Sequence, residues 1–209
     1  MKTINNYLLE RLNPGGLGIH TYKPKNKNEL ENLLYKLNKS RGPEGDYNDI
    51  DTSLITDMSG LFFMWEDFNG DITYWNTSKV TDMHDMFDHA QLFNRDISNW
   101  DVSKVTNMDG MFACAYEFNQ DISNWDVSSV KSMNSMFQNA SKFNMPLKRW
   151  RVNSVEEMDD MFNNATVFDQ NISMWNIKNV YTYENMFLGC KIKESYKPKF
   201  TDIENEAYK

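Results

Sequence analysis

Cysteine is nearly missing from this chain: 209 residues hold two, Cys114 and Cys190, too few for the disulfide framework of a small secreted domain. No apolar run approaches the length that spans a bilayer, and the amino terminus lacks the basic, apolar and small-residue succession of a signal peptide. These absences favour a cytoplasmic or virion-associated protein over one at the cell surface. Histidine is scarce too: His84 and His89 stand five apart, off one another's face on a helix, and His20 lies elsewhere. No Ser/His/Asp or Cys/His arrangement, glycine-rich phosphate loop or paired carboxylate stands outside the repeating pattern. An enzyme is therefore not expected, nor a cofactor or a metal site. Positive charge is short as well. The net charge is −8, and residues 51–190 set nine Lys/Arg against twenty Asp/Glu. With no Lys/Arg stripe along the chain, nucleic acid and anionic lipid are disfavoured partners.

What is present is a period. Trp75, Trp100, Trp125, Trp150 and Trp175 recur every 25 residues, the signature of a stacked repeat protein. The same step carries Ile72, Ile97, Ile122, Leu147 and Ile172, and Val80 through Val180. Met-Phe pairs run from Met86-Phe87 to Met186-Phe187, and Phe68, Phe93, Phe118, Phe143 and Phe168 follow. Within a unit, Ile97, Trp100, Val102 and Val105 fall at the first, fourth, sixth and ninth positions, the spacing of a leucine-rich-repeat strand segment. Alternation along that strand puts the tryptophans inside and Asp101 outside. An indole platform for sugar is thereby disfavoured. Val105, Met108, Met111, Phe112 and Ala115 then change to intervals of three and four, which predict a short helix, with Asp57, Asp82, Asn107 and Ser132 as its caps.

The expected fold is α/β, a leucine-rich-repeat solenoid of about six 25-residue units, with parallel strands on the concave side, short helices on the convex side and a helical N-terminal cap. Three segments follow: 1–50 with the capping helix, 51–190 the array, 191–209 a last cap or tail. Residues 1–12 predict a short helix, and 28–39 an amphipathic one with Asn28 as cap and Arg41-Gly42-Pro43 as stop. Cys114 and Cys190 stand about three units apart, roughly 14 Å at strand spacing, beyond disulfide reach.

The phrase Asp121-Ile-Ser-Asn-Trp-Asp-Val-Ser-Ser-Val with the Met-Phe stretch after it resembles the BspA-like surface-protein repeat, also called the mycoplasma lipoprotein-associated repeat. That resemblance covers about 50–190 and implies a leucine-rich-repeat fold and a role in adhesion or protein binding, with no shared catalytic residues.

Two polar features remain. Asn69, Asn94, Asn119, Asn144 and Asp169 form a ladder able to bond neighbouring units. Calcium is the weaker reading, because the nearby carboxylate column breaks at Pro146 and Asn171. The outward strand positions vary while the inward ones do not, which marks Tyr74, Asn76, Asn99, Asp101, Asn124, Asp126, Arg149, Arg151 and Asn176 as a concave strip for a protein partner. A non-catalytic interaction or adhesion module is the first expectation. A structural subunit of a larger assembly, such as a bacteriophage virion, is the second.

Overall fold

The computed structural model describes residues 20–200; the helix expected over 1–12 lies outside them, as does 201–209. Among the described residues one α-helix forms, α1, Lys27–Arg41. Asn26 caps it, its side chain accepting the Glu29 amide at 3.0 Å, so the cap lies two residues before the one expected. Leu30, Leu34 and Leu37 are buried, and the chain leaves the helix at Gly42, whose φ of 76° few other residues tolerate. The link that follows joins α1 to the stack: the Asn69 amide donates to the Pro43 carbonyl, and the Tyr47 amide to that of Asp71, each at 2.8 Å.

The expected α/β leucine-rich-repeat solenoid, with parallel strands on one side and short helices on the other, does not form. Extended pairing among the described residues is confined to isolated parallel bridges between successive coils, as at Asp57↔Asp82, Asp82↔Asn107 and Asn107↔Ser132, and one at Tyr22↔Ile50. Among the described residues no sheet and no helix follow α1 beyond a short 3-10 turn at Glu194–Tyr196. The 25-residue unit is instead a coil made almost wholly of tight turns, stacked in register on its neighbours.

Both spacings arise from turns for a physical reason. In the segment taken for a strand, the Trp100 amide donates to the Ile97 carbonyl at 3.1 Å and the Val105 amide to Val102 at 2.9 Å. Two β-turns therefore stand back to back, and the apolar residues mark their ends. Asp96 and Asp101 seed them by accepting the Ser98 and Ser103 amides at 2.9 and 3.0 Å, the usual local use of aspartate in turns.

In the segment taken for a helix, Gly110 and Cys114 have φ of 58° and 53°. A left-handed residue at every fourth position turns the chain back before helical bonds can propagate. Alternate amides then point along the stack: those of Met108, Gly110, Phe112 and Cys114 reach Ser132, Asn134, Met136 and Gln138 carbonyls at 2.8–3.0 Å. The intervening amides of Met111, Ala113 and Ala115 fold back three residues. Asp82 and Asn107, expected as helix caps, cap turns instead, accepting the His84 and Asp109 amides.

The side chains that repeat are the core. Phe62, Phe87, Phe112, Phe137, Phe162 and Phe187 stack coil upon coil with centroids 5.4–5.9 Å apart. Phe87 also faces Phe93 at 3.9 Å within its own coil. The five periodic tryptophans are at most 5% exposed, and each indole N–H donates to a carbonyl of the coil before, as Trp125 to Ile97 at 3.2 Å. Burying an indole with its N–H satisfied avoids the cost of an orphaned donor. At the far end Ile172 donates to the Tyr196 carbonyl at 3.0 Å and Phe200 stacks on Tyr183 at 3.9 Å.

Candidate functional site

With the indoles inside, the polar residues of each double turn face out. Asn76, Asn99, Asp101, Asn124, Asp126, Arg149, Arg151 and Asn176 are exposed and Tyr74 is half-buried. They lie one or two to a coil on consecutive coils, on turns and not on a strand surface. Electrostatics links them: Asp101 feels Asp126, and Asp126 feels Arg151. The Arg149 guanidinium donates to Asn124 Oδ1 at 3.4 Å. The strip passes from Asp101 and Asp126 at its middle to Arg149 and Arg151 beyond.

These residues also have local duties that the sequence did not disclose. Asn76, Asp101, Asp126 and Asn176 each accept the backbone amide two residues on. The Ser103 hydroxyl also donates to Asp101, at 2.6 Å. Hydrogen bonds from Ser103 and Ser128 hold the Asp101 and Asp126 carboxyls below their ordinary range. Tyr74, Asn99, Asn124, Arg149 and Arg151 are the members whose side chains cap no turn in this way.

The asparagine ladder forms as a stitch along the stack. Asn94, Asn119, Asn144 and Asp169 each donate a backbone amide at 3.0 Å to the side-chain oxygen of Asn69, Asn94, Asn119 and Asn144 in turn. Those oxygens are engaged with backbone.

A second cluster went unseen in the sequence because its members are 25 residues apart. Donor atoms of Asp88, His89 and Cys114 lie within 4.8 Å of one another, at the edge of a cavity of about 290 Å³ also lined by Asp85, Asp109 and Asn134. Asp88 Oδ1 and His89 Nδ1 are 2.6 Å apart. Burial raises the Asp88 carboxyl above its usual range, against the pull of His89. Burial likewise raises Asp109, against hydrogen bonds from Ser132 and Asn134. The Cys114 thiol receives Asn139 Nδ2 at 3.4 Å. Cys114 and Cys190 are both free.

The architecture defines a class, a repeat protein whose unit is a turn-built coil. Residues 28–126 and 100–199 match the model of a family described as Mycoplasma protein of unknown function, DUF285, and the chain belongs to that family. The leucine-rich-repeat assignment drawn from the resemblance is corrected by the sheetless coil. No curated protein and no solved structure matches the chain. No helix among the described residues is long and apolar enough to cross a membrane.

Proposed function

We propose that the chain is a non-catalytic interaction or adhesion module that holds a protein partner against the exposed strip of its double turns. One observation carries this reading. The coil interior is uniform from unit to unit, whereas the outward positions change from Asn76 to Asp101, Asp126, Arg151 and Asn176. Packing dictates the first set; a polar strip with arginine at one end suits recognition of a protein surface. Likeness to the BspA-like surface-protein repeat supports adhesion as the setting.

The test starts from a partner retained on the immobilised chain and confirmed by direct binding. Arg149→Glu with Arg151→Glu leaves the turn-capping oxygens in place and should weaken binding at least about tenfold, about 1.4 kcal/mol. Unchanged affinity would remove the strip from consideration. A second reading, a subunit of a larger assembly, draws on the far end of the stack. There Tyr183, Met186, Phe187, Leu188 and Phe200 line an open cavity of about 870 Å³. Light scattering separates the two: a monodisperse monomer favours the module, a stable multimer the assembly.

A further inference from the structure

We propose that Asp88, His89 and Cys114 form a site for a borderline-soft divalent ion of the zinc class, held between two successive coils. Three observations support it. The donors are of three kinds, carboxylate, imidazole and thiol, and they converge within 4.8 Å. Calcium and magnesium take oxygen donors, whereas a mixed oxygen, nitrogen and sulfur set selects zinc or cobalt. At tetrahedral bond lengths of about 2.0–2.3 Å the donors would sit roughly 3–4 Å apart, so small side-chain rotations suffice.

The stack also shows what these positions hold when no such site exists. His89 and Cys114 occupy equivalent places on adjacent coils, both left-handed at φ of 59° and 53°. The next two coils carry Asn139 and Asn164 there, also left-handed, and asparagine is the residue that conformation suits best after glycine. Met64 opens the column, also left-handed at φ of 61°, so three members depart from asparagine or glycine, and of these only His89 and Cys114 carry an imidazole or a thiol. Asp88 departs likewise from Phe63, Ala113, Gln138 and Asn163.

The cavity beside the cluster, about 290 Å³, leaves room for a water to complete the coordination. Ligation requires the thiol and imidazole to lose their protons, so affinity falls on acidification. An ion here would tie the coil of His89 to that of Cys114 and add stability through binding to the folded state alone.

The full-length chain, reduced and stripped with chelator, is titrated with cobalt(II) and then with zinc(II). One cobalt per chain is expected, with a thiolate-to-metal charge-transfer band that zinc abolishes, and zinc should raise the melting temperature. His89→Asn and Cys114→Asn install the residue that later coils already carry, so the metal-free fold should keep its near-ultraviolet dichroism. Each should lose the band and the zinc-dependent rise, and Asp88→Ala, which removes a direct donor, should weaken zinc binding by more than the loss of an outer partner does, about tenfold or more. No band with the reduced wild-type chain would overturn the site, as would a band undiminished in either asparagine variant. Should one variant not fold, the other gives the answer.

Discussion

Asp101 and Asp126 are surface carboxylates whose oxygens each fasten the turn that follows, so their charge and their hydrogen bonding can be separated by substitution. Asp126→Ala removes the acceptor for the Ser128 amide, 3.1 Å away, and should cost about 0.5–1.5 kcal/mol in urea denaturation. Asp126→Asn should stay within a few tenths of a kcal/mol of the wild type, because Asn76 and Asn176 already fill that column. Equal losses in both variants would mean that charge, not the turn bond, matters.

The same carboxyls govern the acid limit. Hydrogen bonds from Ser103, Ser123 and Ser128 hold Asp101, Asp121 and Asp126 low, and the Arg41 guanidinium does so for Asp49. A carboxyl whose folded pKa is depressed contributes stability that is present above its unfolded value, about 4, and lost as pH falls through the folded value. Asp88 and Asp109, raised by burial, run the other way: their contribution is present below about pH 4 and lost as pH rises through their folded values. With more carboxyls lowered than raised, thermal stability should decline below about pH 4. Asp101→Asn with Asp126→Asn should flatten that decline, and an acid limb of unchanged steepness would refute the assignment.

At the scale of the element, the coil is a chain of turns, and its legibility in the sequence was partial for a definite reason. The burial columns of Trp, Phe, Met and Val repeat whatever the backbone does, so the core could be read from spacing. The backbone could not, because intervals of three and four arise as readily from consecutive turns as from a helix. The distinguishing signal lay between the apolar residues. Gly60, Asp85, Gly110, Ser135, Asp160 and Asn185 form one left-handed column, and Met64, His89, Cys114, Asn139, Asn164 and Gly189 another, in which Asp, Ser, Asn and Gly predominate. Residues that favour turns, recurring every four, argue against a helix. The strip was legible as an outward face, but its capping duty and the His89–Cys114 pairing depend on this turn geometry.

The joint between α1 and the first coil gives an element-scale test. A Cβ on Gly70 would stand 2.5 Å from the Tyr47 ring and 2.7 Å from that of Phe68, both fully buried. Gly70→Ala should therefore destabilise by about 1–3 kcal/mol through overpacking, although later coils carry larger residues there, such as Arg95 and Gln120. A neutral Gly70→Ala would show that the Tyr47 ring is free to move.

At the scale of the molecule, each coil contacts chiefly the coil before and the coil after, through backbone bonds 24 to 26 residues long, indole bonds and ring stacks. Stability should then approximate a sum over coils and their junctions. Deleting residues 132–156 joins Lys131 to Glu157 in the register of the stack. The shortened chain should fold with its remaining tryptophans buried, at lower stability, as read by fluorescence and denaturant titration; loss of cooperative unfolding would contradict nearest-neighbour coupling.

The central claim is that turns, not strands and helices, build each coil, and backbone NMR across residues 97–115 tests it most directly. The coil predicts left-handed shifts at Gly110 and Cys114 and slow amide exchange at Met108, Gly110, Phe112 and Cys114, which bond to the next coil. An unbroken run of strand shifts over 97–105, or of helical shifts over 105–115, would contradict it.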